Sequence, residues 1–268
     1  MYLLEEKRKK KLLALLLTVA TVLSLTACGT AKASDSDLEY IKSKGTLVVG
    51  ITDFEPMDYK DASGNWIGFD ADMAAAFADS LGVKVEFMEI DWDNKILELD
   101  GKTVDCIWNG MTLTDEVKSA MQCSNAYCNN AQAVIVDVSV ADQYQDKDSI
   151  KGLNFAVEAG SAGASVAAEL GLSYVEVSNQ AAALMEVAAG TSDAAIIDSL
   201  MAAAMVGEGT DYSNLTYTAK LTSEEYGVGF RKGSDLADKL NEFFAQSTSD
   251  GTMEQIASKY GVQAALIK

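Results

Sequence analysis

From Leu38 to Tyr260 the sequence alternates short apolar runs with longer amphipathic stretches, in two successive series. No other feature constrains the fold as tightly, because this alternation is the signature of an α/β protein, in which sheets carry helices on their faces. In the first series, residues 46–51, 83–89, 103–108 and 132–138 read as strands. Helices are predicted at 70–81, with Asp70 as N-cap and Gly82 as stop, at 95–99, and from Thr114 onward. In the second series, strands at 154–158, 173–177 and 193–197 alternate with helices at 162–170, 179–189 and 199–206. A strand at 226–230 and helices at 236–248 and 253–260 complete the chain. The shared rhythm predicts two α/β lobes, and clefts between such lobes are common ligand sites.

Residues 1–27 break the rhythm. Lys7, Arg8, Lys9, Lys10 and Lys11 form a basic cluster, and Leu12 to Ala27 is an uncharged, mostly apolar run of 16 residues. A membrane span needs roughly 20, whereas a secretory signal needs fewer. The run ends in Leu25-Thr26-Ala27-Cys28-Gly29, which is similar to the bacterial lipobox, where the Cys is lipidated and becomes the first mature residue. A secretory signal or anchor that happens to carry a Cys is the alternative. Residues 28–37 are small and polar and read as a flexible tether. The expected organisation is a signal at 1–27, a tether at 28–37 and an extracytoplasmic folded body held to the membrane through lipidated Cys28.

Composition then excludes whole classes of chemistry. The 268 residues contain no His, which removes Ser-His-Asp and Cys-His catalysis and His-ligated zinc or haem. Lys plus Arg number 21 against 40 Asp plus Glu, a net charge of −19 that repels nucleic acid. Arginine occurs only as Arg8 and Arg231. Beyond Cys28 there are Cys106, Cys123 and Cys128; a Cys123–Cys128 disulfide and buried reduced thiols both remain open. No metal or cofactor is expected, and the protein is expected to be a monomer.

Five internal landmarks and a C-terminal one carry a resemblance. They are 64–73 (GNWIGFDADM), 99–114 (LDGKTVDCIWNGMTLT), 124–127 (SNAY), 190–198 (GTSDAAIID), 227–233 (GVGFRKG) and 250–261 (DGTMEQIASKYG). In this order behind a lipobox, the sequence resembles the family 3 solute-binding proteins of polar amino-acid ABC importers, over nearly all of 38–268. The resemblance implies a two-lobed, type II periplasmic-binding-protein-like α/β fold with two crossover hinge strands, near 132–136 and 226–229. Lobe 1 would be 38–131 plus 228–268, and lobe 2 would be 132–227. It also implies closure on a small-molecule ligand and docking to ABC permease subunits.

The same resemblance implies site roles. An aromatic-rich turn after the first strand matches Asp53 and Phe54, and a second aromatic wall matches Trp92. The family's Gly-Met-Thr stretch matches Gly110 and Thr112, with Asn109 beside them; alternation along the strand sends Trp108 to the core and Asn109 to the cleft. Asp198 matches the carboxylate that holds a ligand ammonium, and Gly160, Ser161 and Ala162 match the turn that binds a ligand carboxylate. Each has a plainer reading: Phe54 and Trp92 as core, Asp198 or Thr112 as helix caps, Glu158 as a solvated strand end.

One position departs. Where the family places an arginine whose planar fork clamps a carboxylate, this sequence has Val117. Lys118 is next along, but one helical residue turns a side chain by about 100°. With Glu158 beside Asp198 and no clamp, the expected pocket is rich in carboxylates and lacks a cation. That pattern favours an amine-bearing, even cationic, ligand. The reading is an ABC-importer binding lipoprotein that is not an enzyme. The alternative is a dehydratase-like enzyme on the same fold, with Asp53, Glu55 or Glu158 as its acid or base.

Overall fold

A computed structural model describes residues 36–267. The expected signal, Cys28 and most of the tether lie outside the described residues. Helix α1 (Asp37–Lys44) begins with Ser36 as its cap, so positions 36 and 37 of the expected tether belong to the folded body.

The first series forms one sheet. Strands β1 (Thr46–Ile51), β4 (Lys84–Glu89) and β5 (Cys106–Thr112) run parallel, in the order β4-β1-β5, after a small hairpin of β2 (Tyr59–Lys60) and β3 (Trp66–Ile67). Helices α2 (Phe69–Leu81) and α3 (Lys95–Asp100) connect them. After α4 (Asp115–Ala120) come the short strands β6 (Gln122–Cys123) and β7 (Cys128–Asn130). The chain then enters a second sheet through β8 (Gln132–Asp137). There β9 (Asn154–Glu158), α5 (Ala162–Glu169), β10 (Ser173–Val177), α6 (Gln180–Ala189) and β11 (Ala194–Asp198) repeat the pattern, with parallel order β10-β9-β11. Helix α7 (Ser199–Met205) and strand β12 (Leu215–Lys220) follow. Finally β13 (Glu224–Phe230) returns to the first sheet, and α8 (Leu236–Ser249) and α9 (Thr252–Lys259) pack back onto it and α2.

In each sheet a parallel trio is joined by an antiparallel strand next to the connection between lobes, β13 against β5 and β8 against β11, and further antiparallel strands, β6 and β7 on β13 and β12 on β8, extend the sheets. In sheets of this kind the ligand crevice lies beyond the carboxyl ends of the parallel strands. Those ends are Thr112 on β5, Glu158 on β9 and Asp198 on β11.

Two expectations need correction. Neither crossing lies where expected: Gln132–Val136 is already inside the second sheet, paired to β11, which leaves residue 131 between β7 and β8 as the first crossing, and Tyr226–Gly229 is already inside the first sheet, paired to β5, β6 and β7, which leaves 221–223 between β12 and β13 as the second. The two connections run side by side, with Leu221 N–H donating to the Gln132 carbonyl at 2.8 Å. Asp70 does not cap α2; Gly68 does, and Asp70 is buried in the first turn. Its Oδ2 accepts from Gly110 N–H and from the Tyr127 hydroxyl, both at 2.7 Å. Of the two cysteine readings left open, the reduced one holds: Cys106, Cys123 and Cys128 are free thiols.

Candidate functional site

Strand β5 builds one wall. Its alternation buries Trp108 in the aromatic core against Phe77, Tyr127 and Phe244, and turns Asn109 toward the cleft side. Asn109 is fully engaged there. Its Oδ1 accepts from Thr52 N–H and Oγ1, at 2.9 and 2.8 Å, and its Nδ2 donates to Thr52 O and Asp58 Oδ2, at 3.1 and 2.8 Å. It braces the turn after β1 instead of offering groups to a ligand. Gly110 follows at φ 53, and a Cβ there would stand 2.5 Å from the Phe54 ring. The absent side chain lets Phe54 lie flat against the strand, edge-on to Tyr226. Thr112 closes the wall; its hydroxyl is not taken up as a cap, since Thr114 caps α4 by accepting from Val117 N–H at 3.1 Å.

The segment before α3 adds Trp92, buried and lining the cavity, and a residue that sequence reasoning missed. Lys95 is 8% exposed, with its ammonium 5.1 Å from the Trp92 ring centre. It donates to the Trp92 carbonyl at 3.2 Å and, across the cleft, to the Gly160 carbonyl at 2.8 Å. Burial pushes its pKa down, while Glu116, Glu158 and Asp93 pull it up. The expectation of a pocket without a cation is therefore wrong. The signal was the spacing Trp92-x-x-Lys95, one helical turn that stacks the two side chains.

The second sheet supplies the opposite wall. Ser161 caps α5, accepting from Ala164 N–H at 3.1 Å, and Ser161 and Ala162 line the cavity. Gly160 has φ 67, and a Cβ on it would lie 2.7 Å from Asp93 of the other lobe. The lobes touch at that glycine. Asp198 ends β11 without capping α7 through its side chain. Its Oδ1 accepts from Asn130 Nδ2, from Gln132 Nε2 at 3.0 Å and from Tyr226 OH at 2.8 Å, and its Oδ2 accepts from Gln180 Nε2. Glu158, 2% exposed, is less well served: its Oε1 has no hydrogen-bond partner among the described residues.

Burial sets the charge state of both carboxyls. It raises Glu158 to about 8, with Asp198 adding to the rise and Lys95 opposing it. Asp198 rises to about 7, through burial first and Glu224 second.

Of the residues expected in the site, Phe54, Trp92, Asn109, Gly110, Thr112, Val117, Glu158, Ser161, Ala162 and Asp198 line one cavity. Asp53 does not; it is exposed beside Glu89 and Lys60, because the turn after β1 points it outward while Phe54 points in. Val117 is buried against an apolar cluster with Trp92 and Met111, and Lys118 lines a neighbouring groove. Lys95, Glu116, Gln180 and Ser165 complete the lining and were not anticipated.

The comparisons with known proteins agree with this architecture. Residues 47–263 match the model of the bacterial extracellular solute-binding proteins, family 3. The chain is similar to the arginine-binding extracellular protein ArtP of Bacillus subtilis, at 30% identity over 94% of this chain and 98% of that one. In structure it is similar to the substrate-binding protein of a Streptococcus pneumoniae ABC uptake transporter with bound histidine (TM-score 0.79, 26% identity, 88% and 100% covered). It is also similar to AncCDT-1, an ancestral amino-acid-binding protein and precursor of cyclohexadienyl dehydratase (TM-score 0.77, 32% identity, 84% and 99% covered). This chain belongs to the family 3 bacterial extracellular solute-binding proteins.

Proposed function

We propose that the protein is the solute-binding component of an ABC importer and takes an amine-bearing small molecule of the amino-acid class into the cleft between its lobes. One observation carries the reading: a single cavity sets the aromatic faces of Phe54 and Trp92, from one lobe, against the buried carboxyls of Glu158 and Asp198, from the other. An ammonium placed there meets charge-assisted acceptors and ring faces at once. The arginine-binding and histidine-bound relatives support the same class. Thr112, Ser161 and Ala162 stand ready for a ligand carboxylate, and Lys95 makes a carboxylate-bearing ligand acceptable in a cavity otherwise lined by acids. The expected amine-bearing, even cationic, ligand is on this reading a zwitterionic amino acid.

The dehydratase-like reading is weaker. Of its three candidate groups, Asp53 and Glu55 lie outside the cavity lining and only Glu158 lies within it. We place the protein outside the cytoplasm, held by a lipid on Cys28; Cys28→Ser should move it from the membrane fraction to the soluble one. A melting-temperature screen of the purified protein against the proteinogenic L-amino acids tests the ligand class, since a tight ligand raises Tm by mass action. A rise with at least one amino acid is expected. No rise with any of them contradicts the reading.

A further inference from the structure

Two charged side chains of the cavity stand outside the roles implied by the family resemblance. Asp198, the residue expected to take a ligand ammonium, already receives four side-chain donors on its two oxygens. Glu158 is buried more deeply, and its Oε1 receives none among the described residues. A buried acceptor without a donor is costly, and a donor from the ligand removes that cost. The second is Lys95. An ammonium has three N–H groups; two go to the Trp92 and Gly160 carbonyls, which leaves one for a ligand. Its position beside Gly160 puts that charge at the start of α5, where backbone N–H groups also favour an anion. Val117, at the place of the family's arginine, offers only apolar surface.

We propose that Lys95 and Glu158 together read the head group of an α-amino acid, Lys95 taking its carboxylate and Glu158 its ammonium. The two side chains come from opposite lobes and line one cavity. A zwitterion inserted between them meets the Lys95 ammonium at one end and, at the other, the Glu158 carboxyl, whose ionised form the ligand's ammonium favours. Lys95 acts from α3 in place of an arginine on α4, and Asp198 becomes the hub that holds Gln180 and Tyr226 in position.

This inference rests on the amino-acid reading above, and calorimetry with truncated ligands separates the two. The probes are L-arginine with agmatine and 5-guanidinopentanoate, and L-histidine with histamine and 3-(imidazol-4-yl)propanoate. Each trio is an amino acid, the same molecule without its carboxylate, and the same molecule without its α-ammonium. The native protein should prefer the amino acid over either truncated form by about tenfold or more. Lys95→Met should bring the carboxylate ratio to within about threefold while leaving the ammonium ratio intact, and Glu158→Gln should do the converse. Lys95→Arg keeps the charge and should keep the ratio. Circular dichroism establishes that each variant is folded, and Lys95→Gln replaces the methionine variant if that one is not. Ratios that persist in the variants, or a native protein that binds agmatine or histamine as well as the parent amino acid, overturn the pair. Failure of the native protein to bind any proteinogenic amino acid overturns the functional reading itself, a different result.

Discussion

Asn109 shows how a side chain can line a ligand cavity and still work for the fold. All four of its hydrogen bonds go to Thr52 and Asp58, tying the turn that carries Phe54 to the floor of the cleft. Asn109→Leu leaves Thr52 and Asp58 short of partners in a buried site. Denaturant unfolding should therefore show a loss of about 1–3 kcal/mol. The buried carboxyls make a second prediction. Glu158 at about 8 and Asp198 at about 7 both stand above their unfolded values. Between roughly pH 4 and pH 8 the folded ligand-free protein then holds more protons than the unfolded chain, so its stability falls as pH rises through that window. Melting temperatures should be higher at pH 5 than at pH 8, and Glu158→Gln should flatten the decline. At this scale the sequence was a partial guide. Phe54, Trp92, Gly110 and Thr112 were legible because strand alternation and motif order fix where they point. Lys95 was not, because its role depends on the Gly160 carbonyl, 65 positions away and in the other lobe.

Among the elements, those with strong apolar periodicity matched their expected positions to within a residue or two, as β1, β9, α6 and α8 illustrate. The short strands β2, β3, β6 and β7 gave no such signal, nor did two longer elements. Helix α1 buries only Ile41, and β12 buries only Leu215 and Ala219 of its six residues. What holds α1 is polar. Arg231 Nε lies 3.2 Å from Asp37 Oδ2, its Nη2 is 3.1 Å from Asp37 and 3.6 Å from Asp105, and its Nη1 donates to the Val104 carbonyl at 2.9 Å. The Ser36 hydroxyl and the Leu38 N–H add bonds to Asp235. The arginine that the cavity lacks is thus used to strap the first helix to the lobe. Removing it leaves the fully buried Asp105 to Lys44 and the Val48 N–H, which both reach Oδ2, and leaves Oδ1 and Asp37 without the guanidinium. Arg231→Met should lower the unfolding free energy by roughly 1–3 kcal/mol with ligand affinity unchanged, measurable by urea unfolding beside calorimetry.

At the scale of the molecule, the twofold rhythm of the sequence becomes two sheets built on one plan, each a parallel trio with antiparallel strands added beside the connections. Strand–helix alternation made the two lobes legible. It could not fix the crossing at 221–223, because the apolar run 226–230 reads the same whether it bridges the lobes or pairs inside one. The arrangement sets the carboxyl ends of both parallel trios against one cavity, with contact across it between Gly160 and the Asp93–Lys95 turn. A solute held there touches both lobes at once, and this is the central claim. Amide hydrogen exchange tests it most directly, with the amino acid that gives the largest rise in the melting screen. Binding should slow exchange together at residues 110–112 of one lobe and at 161–164 of the other, with the outer strands β4 and β10 unchanged. Slowing confined to a single lobe, or centred away from these two segments, would contradict it.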